Sequence, residues 1–525
     1  MHLAFPIFPH NLNLSNRRMR TRTSGGVGGE PLDNSRGPLS RSPSVRHSHL
    51  RAGLGRRHLI VDTPVTQSER YLAHLCTKAF LHLWSYPNLY KDQGKRGSGD
   101  GKELCDLAVI FGDDVFIFSD KHCMLKRDGA SPQSLEQAWS RWYRRAVMKS
   151  AGQIFAAERW FRTFPDRIFS DRKCQKKLPI ELPPNPTVHR ILTVRGAAEA
   201  AREIWGGAGS LMTTNSKIAS CEKTPLRLGA FDEAGQMFHV FDEVALDCVL
   251  TTLDTVSDFR DYLVRRERFF RSHPSILAAG EEELLGYYLF SDSKNGERGH
   301  DFIVNDQVTE VLIDESFWEG WMTSPQKAAK EKADRVSYCW DGLIEKFSFH
   351  MLNGTQYFPT DGGVKESEVI VRWMAREPRM HRRLLAQNLL EAMDTTPVGR
   401  IRRRYFPPSK PDEAWWTFLV MPRPPTVDRE KYRKIRINYL KWQCMVLRHM
   451  HESALDIVGI AVDPQENEIT EDAIYLDGRA WCKELDDEAK ELRRLGGVFT
   501  NGVRTERRHW EYPIPENPGN DDGDV

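Results

Sequence analysis

The stretch Gly101–Cys123, GKELCDLAVIFGDDVFIFSDKHC, decides the fold. Leu107–Phe111 and Val115–Phe118 are apolar almost without interruption, which predicts two strands buried on both faces. Gly112-Asp113-Asp114 between them supplies turn residues, so the two strands should form a hairpin. Polar residues are confined to the open end. Glu103 and Asp106 lead into the first strand, and Ser119-Asp120-Lys121 close the second. Carboxylates and a lysine at adjacent strand ends are groups that can hold a divalent cation against a phosphate.

The flanks extend this reading. In TQSERYLAHLCTKAFLHLWSYPNLY (66–90), Leu72, Leu75, Cys76, Ala79, Phe80 and Leu83 fall at helical spacing. Thr66 or Ser68 can cap that helix, Glu69 sits in its first turn, and Pro87 is expected to end it. KDQGKRGSGDGK (91–102) reads as a basic loop. Ser134–Phe161 reads as one long helix with Arg141, Arg144, Arg145 and Lys149 on one side and Trp139, Trp142 and Ala146 on another. That basic side could meet a nucleic-acid backbone with an aromatic free to stack, or the Trp residues could simply pack the helix. Strands are expected at Val188–Val194 and Met237–Phe241, a short helix at Ala197–Ile204, and helices from 243 to 270.

Further along, helices are expected at 326–349, 367–394 and 429–451, with strands at Thr417–Met421, Ile457–Val462 and Ala473–Leu476. Asp254, Asp258 and Asp261 line one helix face and read as a solvated, salt-bridged surface. His300-Asp301 reads as a polar loop, and Arg400, Arg402, Arg403 and Arg404 as a second basic cluster, equally consistent with phosphate contact and with plain solvation. Glu471, Asp472 and Asp477 fall on a strand without a chemistry to assign. No Walker A loop, no Gly-x-Gly-x-x-Gly after a strand, no Gly-x-Ser-x-Gly elbow and no His-Glu-x-x-His is present.

Composition bounds the class. At 525 residues, 40% apolar and 28% charged, the chain can bury more than one core. Lys and Arg (75) nearly balance Asp and Glu (73), so no global field selects a partner. Residues 1–58 hold ten Arg and only two acids, Glu30 and Asp33, leaving the remainder mildly acidic; this segment reads as a disordered basic tail. Nine scattered cysteines without a Cys-x-x-Cys pair suggest reduced thiols and a cytoplasmic location. No apolar run reaches membrane-spanning length, and MHLAFPIF is too short for a signal-peptide core.

The order of a helix with Glu69, a strand with Asp106, a strand ending in Asp120-Lys121 and a helix with Gln153 resembles the PD-(D/E)XK restriction-endonuclease-like superfamily, in its nuclease-related and Mrr-like branches. The resemblance spans roughly residues 66–195. It implies an α/β fold with a mixed sheet flanked by helices, Mg²⁺ or Mn²⁺ as cofactor, and DNA or RNA as partner. It implies Asp106 as a metal ligand, Lys121 as the catalytic lysine, Glu69 as the first-helix acid and Gln153 as the helix glutamine. The chain departs from the family at Ser119, where an Asp, Glu or Gln stands two residues before the lysine. Asp120 on a regular strand points to the opposite face. Either a bulge at 119–120 turns Asp120 toward Asp106, or Glu103 is the second ligand; with neither, the domain is an inactive nuclease-like module that binds nucleic acid or a protein. The expected organisation is a tail at 1–58, this domain with a helical extension at 66–275, an α+β domain of unassigned role at 305–512, and an acidic disordered tail at 513–525.

Overall fold

The computed structural model of the chain describes residues 66–127, 129, 131–290, 300–303, 307–359, 362–464, 470–500 and 511–512, together with the backbone of Thr21–Gly25. The segments expected as tails lie outside the described residues, with one correction. Thr21–Gly25 is a strand, paired antiparallel with Thr470–Asp477. The chain forms two compact units, one built mainly from 56–335 and the other mainly from 336–375 and 381–508. The division falls at Arg335, beyond the 275–305 stretch where the sequence placed it. The reason is that Ser275–Ala278 and Glu310–Ile313 pair in parallel within a four-stranded sheet of the first unit.

The first unit holds the hairpin. Its helix α1 (Gln67–Phe80) is followed by strands β1 (Ser85–Lys91), β2 (Lys102–Phe111) and β3 (Asp114–His122). Next come helices α2 (Pro132–Tyr143) and α3 (Lys149–Thr163), strands β4 (Thr187–Arg195) and β5 (His239–Phe241), and helix α4 (Glu243–Thr252). These strands, with Ile168–Phe169 at the edge beside β1, make a six-stranded mixed sheet in the order β1-β2-β3-β4-β5. β1, β2 and β3 are an antiparallel meander, whereas β3, β4 and β5 run parallel. The start of β2 and the ends of β3, β4 and β5 therefore meet at one edge of the sheet.

Strand alternation sorts side chains onto the two faces. Val115 and Ile117 pack with Trp139, Trp142 and Ile154 from α2 and α3. Phe116 and Phe118 face the other way, with Phe116 stacked on Phe80 of α1 at 6.1 Å and Phe118 on Phe259 at 6.5 Å. The sequence misplaced the end of α1. The helix stops at Phe80, Leu81 takes a φ of 67°, and Pro87 lies inside β1. Proline is tolerated there because the partner Ile168–Phe169 reaches only Tyr90 and Lys91, leaving the rest of that β1 edge without a ladder among the described residues. The helix expected over Ser134–Phe161 is present, but its middle turn, Arg144–Met148, is a π turn.

The second unit is also mixed α/β. Its five-stranded sheet runs Thr21–Gly25, Thr470–Asp477, Asp456–Asp463, Trp415–Val420, Arg402–Phe406. The 22-residue helix Arg429–Met450 crosses between two parallel strands, Trp415–Val420 and Asp456–Asp463. Asp472, buried on its strand, receives Arg436 Nε at 3.0 Å and also bonds Arg433, so this acid serves a buried ion-pair network. The single helix expected at 367–394 is two helices, Gly363–Arg376 and Arg379–Thr395, separated at Pro378. Among the described residues no helix is long and apolar enough to cross a membrane.

Candidate functional site

The open end of the hairpin gathers Glu103, Asp106 and Lys121 at the sheet edge where β2 begins and β3 ends. Asp106 alternates with Ala108 and Ile110, which pack under α2 and α3, so its side chain belongs to that face. Lys121 alternates with Val115 and Ile117 and belongs to the same face. Glu103 is three residues from Asp106 and would point away from it on a regular strand. A bulge corrects this. Leu89 pairs with Cys105 but Tyr90 with Glu103, which leaves Leu104 as an extra residue in β2. Leu104 and Cys105 accordingly both enter the same core cluster, and Glu103 comes round to hydrogen-bond with Asp106.

Two carboxyls that share a hydrogen bond titrate as a coupled pair. Burial pushes Asp106 up from its ordinary 3.8 to about 7. The charges of Glu103 and Glu69 push the same way, and the Asp120 N–H, donating to Asp106 Oδ2 at 2.6 Å, pulls it back. Glu103 is raised by partial burial and by Glu69, while the charges of Arg172 and Lys121 lower it. Lys121 makes no salt bridge among the described residues and lends its charge to Glu103. A half-buried carboxyl raised toward neutrality beside a second acid and a lysine is the kind of cluster that active sites use.

The remaining predicted residues divide. Asp120 is not in the cluster. Ladder register with β4 runs unbroken from Asp114 to His122, so no bulge turns it. Its carboxylate lies on the α1 face, where Oδ1 accepts from Thr193 Oγ1 at 2.6 Å and meets Arg195 Nε at 3.4 Å. Asp120 therefore reaches Asp106 through its backbone N–H alone. Glu69 closes a capping box, with Oε2 accepting from Thr66 N at 3.0 Å, and acts on the carboxyl pair only through its field. Gln153 lies exposed on α3 and makes no hydrogen bond to the pair. Thr193 and Arg195 went unrecognised in the sequence. The signal was the alternation that sends Asp120 to the far face, toward the neighbouring parallel strand.

A metal fits part of this arrangement. Among the described residues no three His, Cys, Asp or Glu side chains are disposed to hold an ion. Glu103 and Asp106 supply two adjacent carboxylates, which suits Mg²⁺, an ion commonly bound through one or two carboxylates while keeping several waters.

Other candidates resolve as structure. Trp139, Trp142 and Tyr143 are buried, so none is available to stack on a base. Asp254 pairs with Arg379 at 2.9 Å, and Asp301 with Arg265 at 2.8 Å. Arg404 bonds Asn388 and Glu391, and Arg402 bonds Thr395. No protein-family model, no curated protein and no solved structure matches this chain.

Proposed function

We propose that the first unit hydrolyses nucleic-acid phosphodiester bonds with a divalent metal, in the manner of a PD-(D/E)XK restriction-endonuclease-like enzyme. The observation that carries this reading is the hydrogen-bonded Glu103–Asp106 carboxyl pair, with Asp106 half-buried and Glu103 under the charge of Lys121. The order of elements supports it. Helix α1, a three-strand meander with the acid on its second strand and the lysine on its third, and a following helix are what the resemblance calls for.

Glu103 and Asp106 would hold the ion, and the bound ion would supply Lewis acidity and an activated water. The chain's own groups do the rest. The Asp120 N–H fixes the orientation of the Asp106 carboxylate. Lys121 offers a cation to orient the attacking water and to neutralise charge gathering on the phosphate oxygens. Thr193 and Arg195 hold Asp120 in place from behind. The test is Mg²⁺- or Mn²⁺-dependent cleavage of labelled DNA and RNA by wild type and Lys121→Ala, with circular dichroism to confirm the fold. Cleavage by wild type alone is expected; equal cleavage by both sinks the proposal.

A second reading is a non-catalytic module that kept this architecture. It is favoured by Ser119 at the acidic position and by the commitment of Asp120 to Thr193 and Arg195. It predicts nucleic-acid binding that falls with salt and ignores EDTA, with no cleavage under any metal.

A further inference from the structure

The long helix that follows β3 shows a burial pattern that ordinary α-helical geometry does not give. Trp142-Tyr143, Ala146-Val147 and Ser150-Ala151 are buried pairs spaced by four residues, with Ile154 next in line. Arg141, Arg145, Lys149 and Gln153 are exposed at the same spacing. In an α-helix a step of four residues overshoots a full turn by about 40°, so such a row should wind around the helix. The π turn at Arg144–Met148 is wider and takes back that drift. The exposed row consequently stays on one side.

This row is anchored to the candidate site. Trp142 Nε1 donates to the carbonyl of Cys123 at 2.7 Å, two residues beyond Lys121. The charges of Arg145 and Lys121 both act on the Cys123 thiol, which places the two cations around one point at the end of β3. Arg144 is drawn aside to Glu222 at 3.2 Å, but Arg145 and Lys149 form no salt bridge among the described residues. Two cations kept from intramolecular pairing, in line with a glutamine and leading away from the lysine of the hairpin, complement a chain of phosphates.

We infer that the Arg145–Lys149–Gln153 row carries the sugar-phosphate backbone of a nucleic-acid strand whose scissile phosphate lies at Lys121. The inference rests on the proposed reaction for the identity of the polymer, yet it is tested without metal or cleavage. The full chain, in EDTA, is titrated by fluorescence anisotropy against a short fluorescein-labelled DNA duplex and a short single-stranded RNA over a range of salt concentrations. Arg145→Ala with Lys149→Ala should lower the slope of log K against log salt by about 1 to 2 for at least one probe. A charge-matched control, Lys434→Ala with Arg494→Ala, removes two exposed cations of the other unit and should leave the slope unchanged. An unchanged slope in the first variant, an equal loss in the control, or no binding of wild type to either probe overturns the inference. Wild type that binds with this dependence but cleaves under no metal overturns the proposed reaction and leaves the row standing.

Discussion

Asp106→Asn should stabilise the protein at alkaline pH while disabling the site. The folded-state value of Asp106, about 7, lies above its ordinary 3.8. The folded state thus favours the protonated acid. Its contribution to stability is fully present below about pH 4 and is lost as pH rises through about 7. The displacement corresponds to about 4 kcal/mol at ~1.4 kcal/mol per pH unit. Burial is the largest cause of that displacement and repulsion from Glu103 a lesser one that the two acids share, so the single substitution should recover about 2 kcal/mol. Asparagine is nearly isosteric, stays neutral and can still accept the Asp120 N–H. Native-state hydrogen exchange of the β2 and β3 amides in EDTA reads the local free energy directly. The variant should approach wild type at pH 4 and exceed it by a growing margin up to pH 8. A variant no more stable than wild type at pH 8 would refute the claim that partial burial and the neighbouring acids favour the protonated Asp106.

Other consequences are equally checkable. Glu282, buried and bonded by Ser210, is raised to about 7 by burial and by Asp242, so Glu282→Gln should flatten the loss of stability between pH 5 and 8 by up to about 3 kcal/mol in thermal or urea unfolding. Asp472→Ala strands Arg433 and Arg436 in the core of the second unit and should cost about 3–5 kcal/mol in denaturant unfolding; a loss under 1 kcal/mol would show the network to be solvated. Thr193→Val removes the hydroxyl that holds the Asp120 carboxylate and should leave metal affinity and the pH dependence of Asp106 in place, because Asp120 reaches Asp106 through its backbone N–H alone; a clear loss of affinity would show that the Asp120 carboxylate takes part in the metal site.

The hairpin, its turn and the strand ends that carry polar residues were legible because apolar runs and turn residues are local signals. Strand alternation correctly sent Asp120 to the far face, where Thr193 holds it. The route by which Glu103 reaches Asp106 was not legible. It depends on an extra residue in β2 whose register is set by a neighbouring strand, and that strand contains Pro87, which reads locally as a helix stop. The π turn was hidden for a similar reason: the sequence shows an amphipathic helix, and only the four-residue repeat of buried pairs betrays the changed pitch. Thr21–Gly25 escaped because a strand at a sheet edge takes its order from its partner, here Thr470–Asp477, rather than from its own residues. The division of the chain escaped because parallel pairing of Ser275–Ala278 with Glu310–Ile313 is a nonlocal contact.

The most direct measurement is calorimetric titration of Mn²⁺ into wild type, Asp106→Ala and Asp120→Ala, with an uncleavable phosphorothioate oligonucleotide present to complete the metal shell. Binding to wild type and to Asp120→Ala, but not to Asp106→Ala, is the predicted result. Binding that survives Asp106→Ala, or no binding to wild type, would contradict a metal site built on the Glu103–Asp106 pair.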